Sequence, residues 1–251
     1  MKTILITGCN GNLSLNIIKS YILNKQIRLI GCDIHDNFDP LNTLSDISII
    51  YYRVDLAQID LITKMISILN NENLIPDILI NNAAIDSVPH TGINNDGMDL
   101  QNFNNIFDIN VKAPIHLFKI LSEYWIAKKI QGLVINLSTI YSKVSPDPKL
   151  YPTNFVKNIL YGSSKSALNS AFKQISVLYI PFAIRINTLI LSGVETESQN
   201  LDFKNKYLER IPSKRFLKIE EIFSALNFLM DENNSYMTGA ELFIDGGYTL
   251  I

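Results

Sequence analysis

Thr3-Ile4-Leu5-Ile6-Thr7-Gly8-Cys9-Asn10-Gly11-Asn12-Leu13-Ser14 is an apolar run that stops at a glycine and opens a segment of helical period, continued by Leu15, Ile18 and Ile22. A short apolar run suits a strand buried on both faces. The glycine turn lets backbone N–H groups and the positive end of the next helix meet a pyrophosphate. Asp33 ends the second apolar run, about 20 residues on, where a carboxylate accepts from both hydroxyls of an adenosine ribose. That carboxylate repels a 2'-phosphate, and no arginine follows it closely in the chain, so the reading favours NAD over NADP.

The same pattern recurs. Apolar runs at Thr3–Thr7, Ile27–Asp33, Ile49–Val54, Asp77–Asn81, Gly132–Ser138, Ala183–Ile190 and Glu241–Ile244 predict seven strands. Segments of helical period between them, such as Ile59, Ile62, Ile66 and Leu69, are long enough for crossovers. Alternating strand and helix predicts an α/β fold, a Rossmann-like, doubly wound, seven-stranded parallel sheet with helices on both faces. Two proline- and glycine-bearing stretches, Asp86–Asp99 and Ser142–Asn158, read as loops, and Ser192–Ser213 suits a lid with a short helix.

With 251 residues, 47% of them hydrophobic, the chain suits one domain spanning 1–251. A formal charge of -2 leaves no broad basic surface, which argues against nucleic acid and for a small-molecule ligand. Cys9 and Cys32 are too few for a disulfide framework, which predicts a reducing cytoplasm. The apolar run at the start is too short for a signal peptide, and no stretch approaches the roughly 20 residues that span a bilayer, so no membrane partner is expected. His35, His90 and His116 lack metal-ligand spacing, and no metal site is predicted. Trp125 reads as packing on a helix face, and Lys204, Lys206, Arg210, Lys214 and Arg215 as a solvated face of the lid.

Tyr161-Gly162-Ser163-Ser164-Lys165 places a phenol and an ammonium four residues apart on one helical face. A nearby positive charge favours the phenolate and lowers the tyrosine pKa, which makes an acid/base usable near neutral pH.

These motifs, taken in order, resemble the short-chain dehydrogenase/reductase family, and the resemblance runs from Thr3 to the C-terminus. Asp55-Leu56 is similar to the family's Asp-hydrophobic pair beside the adenine, and Asn81-Asn82-Ala83-Ala84 to its Asn-Asn-Ala-Gly turn. Asn110 resembles the helix asparagine that holds a proton-relay water, and Asn136-Leu137-Ser138-Thr139 resembles Asn-x-Ser-Ser, whose last residue is the catalytic hydroxyl. Arg185-Ile186-Asn187, Pro212–Ile222, Gly239 and Asp245-Gly246-Gly247-Tyr248 match motifs of the C-terminal third. The resemblance implies catalytic roles for Asn110, Thr139, Tyr161 and Lys165. It implies cofactor contacts from Gly8, Asn10, Gly11, Asn12, Leu13, Asp33, Asp55, Leu56, Asn82, Ala83, Ala84, Tyr161, Lys165, Val194 and Thr196. A homo-oligomer, dimer or tetramer, is implied as well.

The chain departs from the family in four places. Asn12 and Ser14 stand where the single-domain branch has glycines, and Gly11 instead fits the Gly-x-x-Gly spacing of the extended branch. Asparagine tolerates the left-handed backbone, while Ser14 predicts a slightly wider loop. Ser138 and Thr139 both remain candidates for the hydroxyl, because alternate strand side chains face opposite ways; alignment favours Thr139. The stretch from Thr139 to Tyr161 is longer than the family usually has, carries Tyr141, Tyr151 and Phe155, and resembles that of some bacterial surface-sugar and flagellin-glycan pathway members. Leu191-Ser192 replaces Pro-Gly beside the nicotinamide.

The implied activity is hydride transfer between NAD(H) and a secondary alcohol or ketone, with a sugar or activated sugar as one substrate class. An extended-type nucleotide-sugar epimerase or dehydratase is the enzymatic alternative, although Asp245-Gly246-Gly247 closes the chain without room for that branch's C-terminal domain. A dinucleotide-binding sensor without turnover is the alternative of another class.

Overall fold

In the computed structural model, residues 1–22, 27–36, 49–86, 100–152, 155–195 and 199–251 are described. The strands are β1 (Lys2–Thr7), β2 (Ile27–Asp33), β3 (Ile49–Arg53), β4 (Ile78–Asn81), β5 (Leu133–Thr139), β6 (Arg185–Leu191) and β7 (Glu241–Ile244). They form one parallel sheet in the order β3-β2-β1-β4-β5-β6-β7, as the apolar runs predict. The helices are α1 (Asn12–Ile22), α2 (Ile59–Asn71), α3 (Phe103–Phe107), α4 (Ala113–Lys128), α5 (Ile159–Tyr179), α6 (Leu201–Arg210) and α7 (Ile219–Met230). A π-helical turn, Asp108–Lys112, joins α3 to α4.

Both faces of the sheet are covered because strand residues alternate between them. Leu5, Ile30, Leu79, Val134 and Ile186 pack beneath α2, α4 and α5. Their neighbours Ile4, Ile6, Ile80, Ile135 and Leu189 pack against α1 and α7 on the other face. Fully burying such a side chain stabilises by about 1.5–3 kcal/mol, so the continuous apolar character of the strands follows from their two-sided burial. The period-3.6 apolar residues of α2, Ile62, Met65, Ile66 and Leu69, are its buried ones.

Trp125 has no exposed surface, and its indole N–H donates to the Pro76 carbonyl at 2.6 Å. Its ring lies so close to Gly132, at the entry to β5, that a Cβ there would stand 2.3 Å from Cε3. Gly132→Ala is therefore expected to force a shift of a buried ring and destabilise the fold by about 1–3 kcal/mol, read as a lower midpoint in urea. Gly132 lies at the start of β5, away from the carboxyl ends of the strands where ligands bind in such sheets, so ligand affinity per folded molecule should be unchanged.

Candidate functional site

The strand order reverses at β1, which pairs with β2 on one side and β4 on the other. In such sheets ligands bind beyond the carboxyl ends of the strands at that point. A cleft of about 460 Å³ opens there, lined by Gly8, Asn10, Gly11, Asn12, Leu13, Asp33, Asp55, Leu56, Asn82, Ala83 and Ala84, with Ile34, His35, Val54, Ile85 and Ile109 beside them. A larger cavity of about 620 Å³, lined by Lys2, Asp77 and Arg185 among others, contains none of the candidate residues. The smaller cleft is the better site because the glycine turn and the strand ends face it.

The turn after β1 is locked to the turn after β4. Thr7 Oγ1 accepts from the backbone N–H groups of Asn82 (3.1 Å) and Ala83 (3.0 Å), and Asn82 Nδ2 donates to the carbonyls of Thr7 (2.9 Å) and Gly8 (3.0 Å). Gly8 has φ +64°, and a Cβ on it would stand 2.8 Å from Ala83 Cα; only glycine meets both demands. Ser14 does not widen the loop. It is fully buried, with its hydroxyl 2.5 Å from the Gly8 carbonyl and 2.9 Å from that of Gly11, so it draws the turn onto α1.

Asp33 is buried at the end of β2. Its Oδ2 accepts from the Asn10 N–H at 3.0 Å, and its Oδ1 lies 2.6 Å from His35 Nδ1. An arginine does stand close in space although none is close in sequence: Arg53 on β3 is the register partner of Asp33. Its guanidinium is held by Asp36 (2.6 Å) and the Ile34 carbonyl (3.3 Å). Asp55 shapes the far wall by accepting from the Ala57 N–H (3.0 Å) and from Gln58 Nε2 (2.9 Å). This cradle, with its glycine floor, helix N-terminus and buried carboxylate, fits an adenine dinucleotide. Val194 is not among the lining residues and pairs with Leu217 in an isolated bridge; Thr196 lies outside the described residues.

Next to this cleft, α5 is docked on the turn that follows β5. Asn158 caps the helix by accepting from the Leu160 N–H at 2.8 Å, which fixes Tyr161 in the first turn. The Ser166 hydroxyl donates to the Ser142 carbonyl (2.8 Å), and Asn169 Nδ2 donates to Ser142 Oγ (3.0 Å). The approach leaves no room for a Cβ at Gly162, which would stand 2.7 Å from the Tyr141 carbonyl. This brings the Thr139 hydroxyl close enough to Tyr161 to favour its phenolate. Ser138, the other candidate hydroxyl, is turned toward Ser142 at 3.4 Å.

The surroundings of Lys165 and Asn110 add detail that spacing does not give. Lys165 is buried and spends one N–H on the Leu137 carbonyl at 2.8 Å; burial pushes its pKa down to about 8. The Tyr161 phenol stands above its ordinary value, raised by burial first and then by the Asp86 carboxylate, while the Thr139 hydrogen bond opposes. Asn110 sits in the π-helical turn with its donors committed: Nδ2 to the Ile85 carbonyl (3.0 Å) and to Ser164 Oγ (2.9 Å), while Oδ1 accepts from the Ile85 N–H (2.8 Å). Its visible effect is to tie the segment after β4 to α5.

Ser164, Ile85, His35, Asp86 and Lys157 complete this region and were not singled out from sequence. Lys157 stands four residues before Tyr161, the mirror of Lys165, and that spacing was a usable signal. Burial pushes the Cys32 thiol up to about 12 and the Cys9 thiol higher still, which leaves neither as a ready nucleophile. Among the described residues no group of three His, Cys, Asp or Glu converges as a metal site, and no helix is long and apolar enough to cross a membrane. The cations of the lid are taken up locally: Lys204 by Glu195, Lys206 by Asp202, Arg210 by Asp147 and Arg215 by Glu221.

The family model described as enoyl-(acyl carrier protein) reductase matches residues 24–249. Glucose 1-dehydrogenase 2 of Bacillus subtilis is 31% identical over 182 residues, 69% of this chain and 64% of that protein. The 7alpha-hydroxysteroid dehydrogenase of Paraclostridium sordellii is 32% identical over 207 residues, 78% of this chain and 71% of that protein. The crystal structure of a short chain dehydrogenase from Leptospira borgpetersenii with bound NAD+ superposes with a TM-score of 0.86 at 26% identity, covering 99% of this chain and 92% of that one. The seven-stranded parallel sheet agrees with these likenesses, and the chain belongs to the short-chain dehydrogenase/reductase family of oxidoreductases.

Proposed function

We propose that the protein is an NAD(H)-dependent oxidoreductase that interconverts a secondary alcohol and a ketone. The observation that carries this reading is the Tyr161 phenol beside the Thr139 hydroxyl at the end of β5, with the buried Lys165 one turn along the same helix. In the oxidising direction Tyr161, as phenolate, takes the hydroxyl proton, and the O–H electron pair becomes the second bond of the carbonyl. A bound nicotinamide supplies the acceptor for the hydride that leaves the carbinol carbon. Thr139 donates to the substrate oxygen and steadies its developing charge. Lys165, with its pKa near 8, is able to exchange a proton near neutral pH and to bond a ribose hydroxyl with an N–H not used on Leu137.

Asp33 supports NAD over NADP, since Arg53, the nearest cation by register, is engaged by Asp36 rather than turned to a 2'-phosphate. The insertion before α5 supports a polar substrate of the sugar class, because Tyr141 and Tyr151 bring hydroxyls, bonded to each other at 3.0 Å, to the side of the site. We also infer one domain over 1–251, a cytoplasmic location and a homo-oligomer. Exposed apolar residues such as Val177 and Leu178 on α5 support the last of these.

Three outcomes follow. Tyr161→Phe should keep NAD affinity, measured by calorimetry, and lose at least about a thousandfold in kcat; an active mutant refutes the acid/base role. Asp33→Ala should lower the NAD-over-NADP ratio of kcat/KM by about tenfold or more, through loss of the repelling charge. Lys165→Met should abolish turnover yet raise stability at pH 7. The native lysine titrates near 8 and an unfolded one near ~10.4. Between those values the unfolded state holds more protons, so wild-type stability rises with pH there. The mutant's advantage, about 2–3 kcal/mol at pH 7, should fade toward pH 10, as followed by urea denaturation.

A further inference from the structure

Tyr161 carries a cation against its ring that hydride transfer does not require. The Lys157 ammonium lies 5.3 Å from the ring centroid. The residue precedes the helix, because Asn158 is the N-cap, and belongs to the insertion that this chain carries before α5. The same ammonium is ion-paired with Asp86, at the end of the segment that follows β4. Two segments 71 residues apart thus hold an opposite pair of charges at one phenol.

A cation within about 6 Å of a ring face is attracted to it, and the attraction grows when the ring oxygen becomes an anion. The neighbouring carboxylate acts in the opposite sense. The two charges do not cancel, since the lysine side chain is 16% exposed and the aspartate 44%, and the wetter charge is the more screened. Among the described residues the Thr139 hydroxyl from β5 also acts on the phenol, and Lys165 lies one turn along the same helix with its ammonium engaged by Leu137. Tyr151 of the insertion also lies within electrostatic reach of Asp86.

We propose that Lys157 and Asp86 form an opposed electrostatic control on Tyr161, Lys157 favouring the phenolate and Asp86 the phenol, so that their balance sets the pH at which the site can accept a proton. Lys157 is thus a positioning residue acting through Tyr161, a part that the i+4 lysine does not fill alone. The assignment rests on reading Tyr161 as the acid/base. The part given to Asp86 accords with the phenol's elevation by burial and by that carboxylate, and the part given to Lys157 rests on its place over the ring.

The test titrates the full-length protein, labelled at tyrosine Cζ, by carbon NMR without substrate, the Tyr161 signal being the one absent from Tyr161→Phe. Lys157→Met should raise the midpoint by about one pH unit, and Asp86→Asn should lower it by a similar amount. Lys157→Arg should restore the wild-type value. The limb of the kcat/KM–pH profile should move in the same directions, giving about a tenfold change in rate at a fixed pH on that limb. Unchanged midpoints overturn the assignment, and so does Lys157→Met raising KM alone with the limb in place, which marks a substrate contact. Midpoints that move in a protein without hydride transfer leave the electrostatic control standing and refute the proposed function; turnover with fixed midpoints does the reverse.

Discussion

Everything at the site depends on the contact between α5 and the turn after β5. The helix comes so near the Tyr141 carbonyl that residue 162 has no room for a Cβ. Three serines and two asparagines complete the junction, with Ser166 bonded to Ser142, Asn169 to Ser142, and Ser164 to Asn110. Hydrogen bonds net about 1 kcal/mol each, but losing one partner of a buried pair costs more than that. The network therefore acts mainly as a specification of register. Sliding α5 by one residue would leave several buried donors unmatched and take Tyr161 away from Thr139.

The same junction explains why the reactive groups are held at a cost in stability. Lys165 is almost entirely buried, and its pKa near 8 measures how strongly the interior disfavours the ammonium. The Leu137 carbonyl offsets part of that penalty. Tyr161 is strained in the complementary sense, its anion disfavoured by the same burial. Two neighbouring groups whose burial drives their pKa values apart, lysine down and tyrosine up, make a poor salt bridge at rest. Such a pair responds strongly to any further charge, and Lys157, Asp86 and a bound ligand are the sources at hand.

The sheet was legible in the sequence because parallel strands buried on both faces are written as unbroken apolar runs, and all seven appear within a residue or two of the predicted positions. The turn after β1 was equally legible, since the place of Gly8 follows from backbone geometry and that of Asp33 from the end of a strand. What escaped were relations across space. Arg53 is twenty residues from Asp33 yet opposite it in register. Ser14 looked like a missing glycine and proved to be a hydrogen-bonding clasp, because a small hydroxyl can occupy a tight place and satisfy the carbonyls that surround it. The committed state of Asn110 depends on a π-helical turn, and no spacing rule announces one.

The long stretch between Thr139 and Tyr161 read as a proline-rich loop, and its physical logic lies in a third apolar cluster. Tyr151 meets Phe203 of the lid at 5.7 Å, Phe203 meets Tyr207 at 5.8 Å, and Tyr207 stacks on Phe216 at 4.8 Å and Tyr248 at 5.6 Å. The Tyr207 hydroxyl, at the centre of this ladder, accepts from the Gly193 N–H at 2.7 Å, just past the end of β6. Each aromatic contact is worth about 0.5–1.5 kcal/mol beyond burial, so the insertion and α6 gain from moving together. Arg210 adds to the junction, lying 5.0 Å from the Tyr248 ring and 3.6 Å from Asp147.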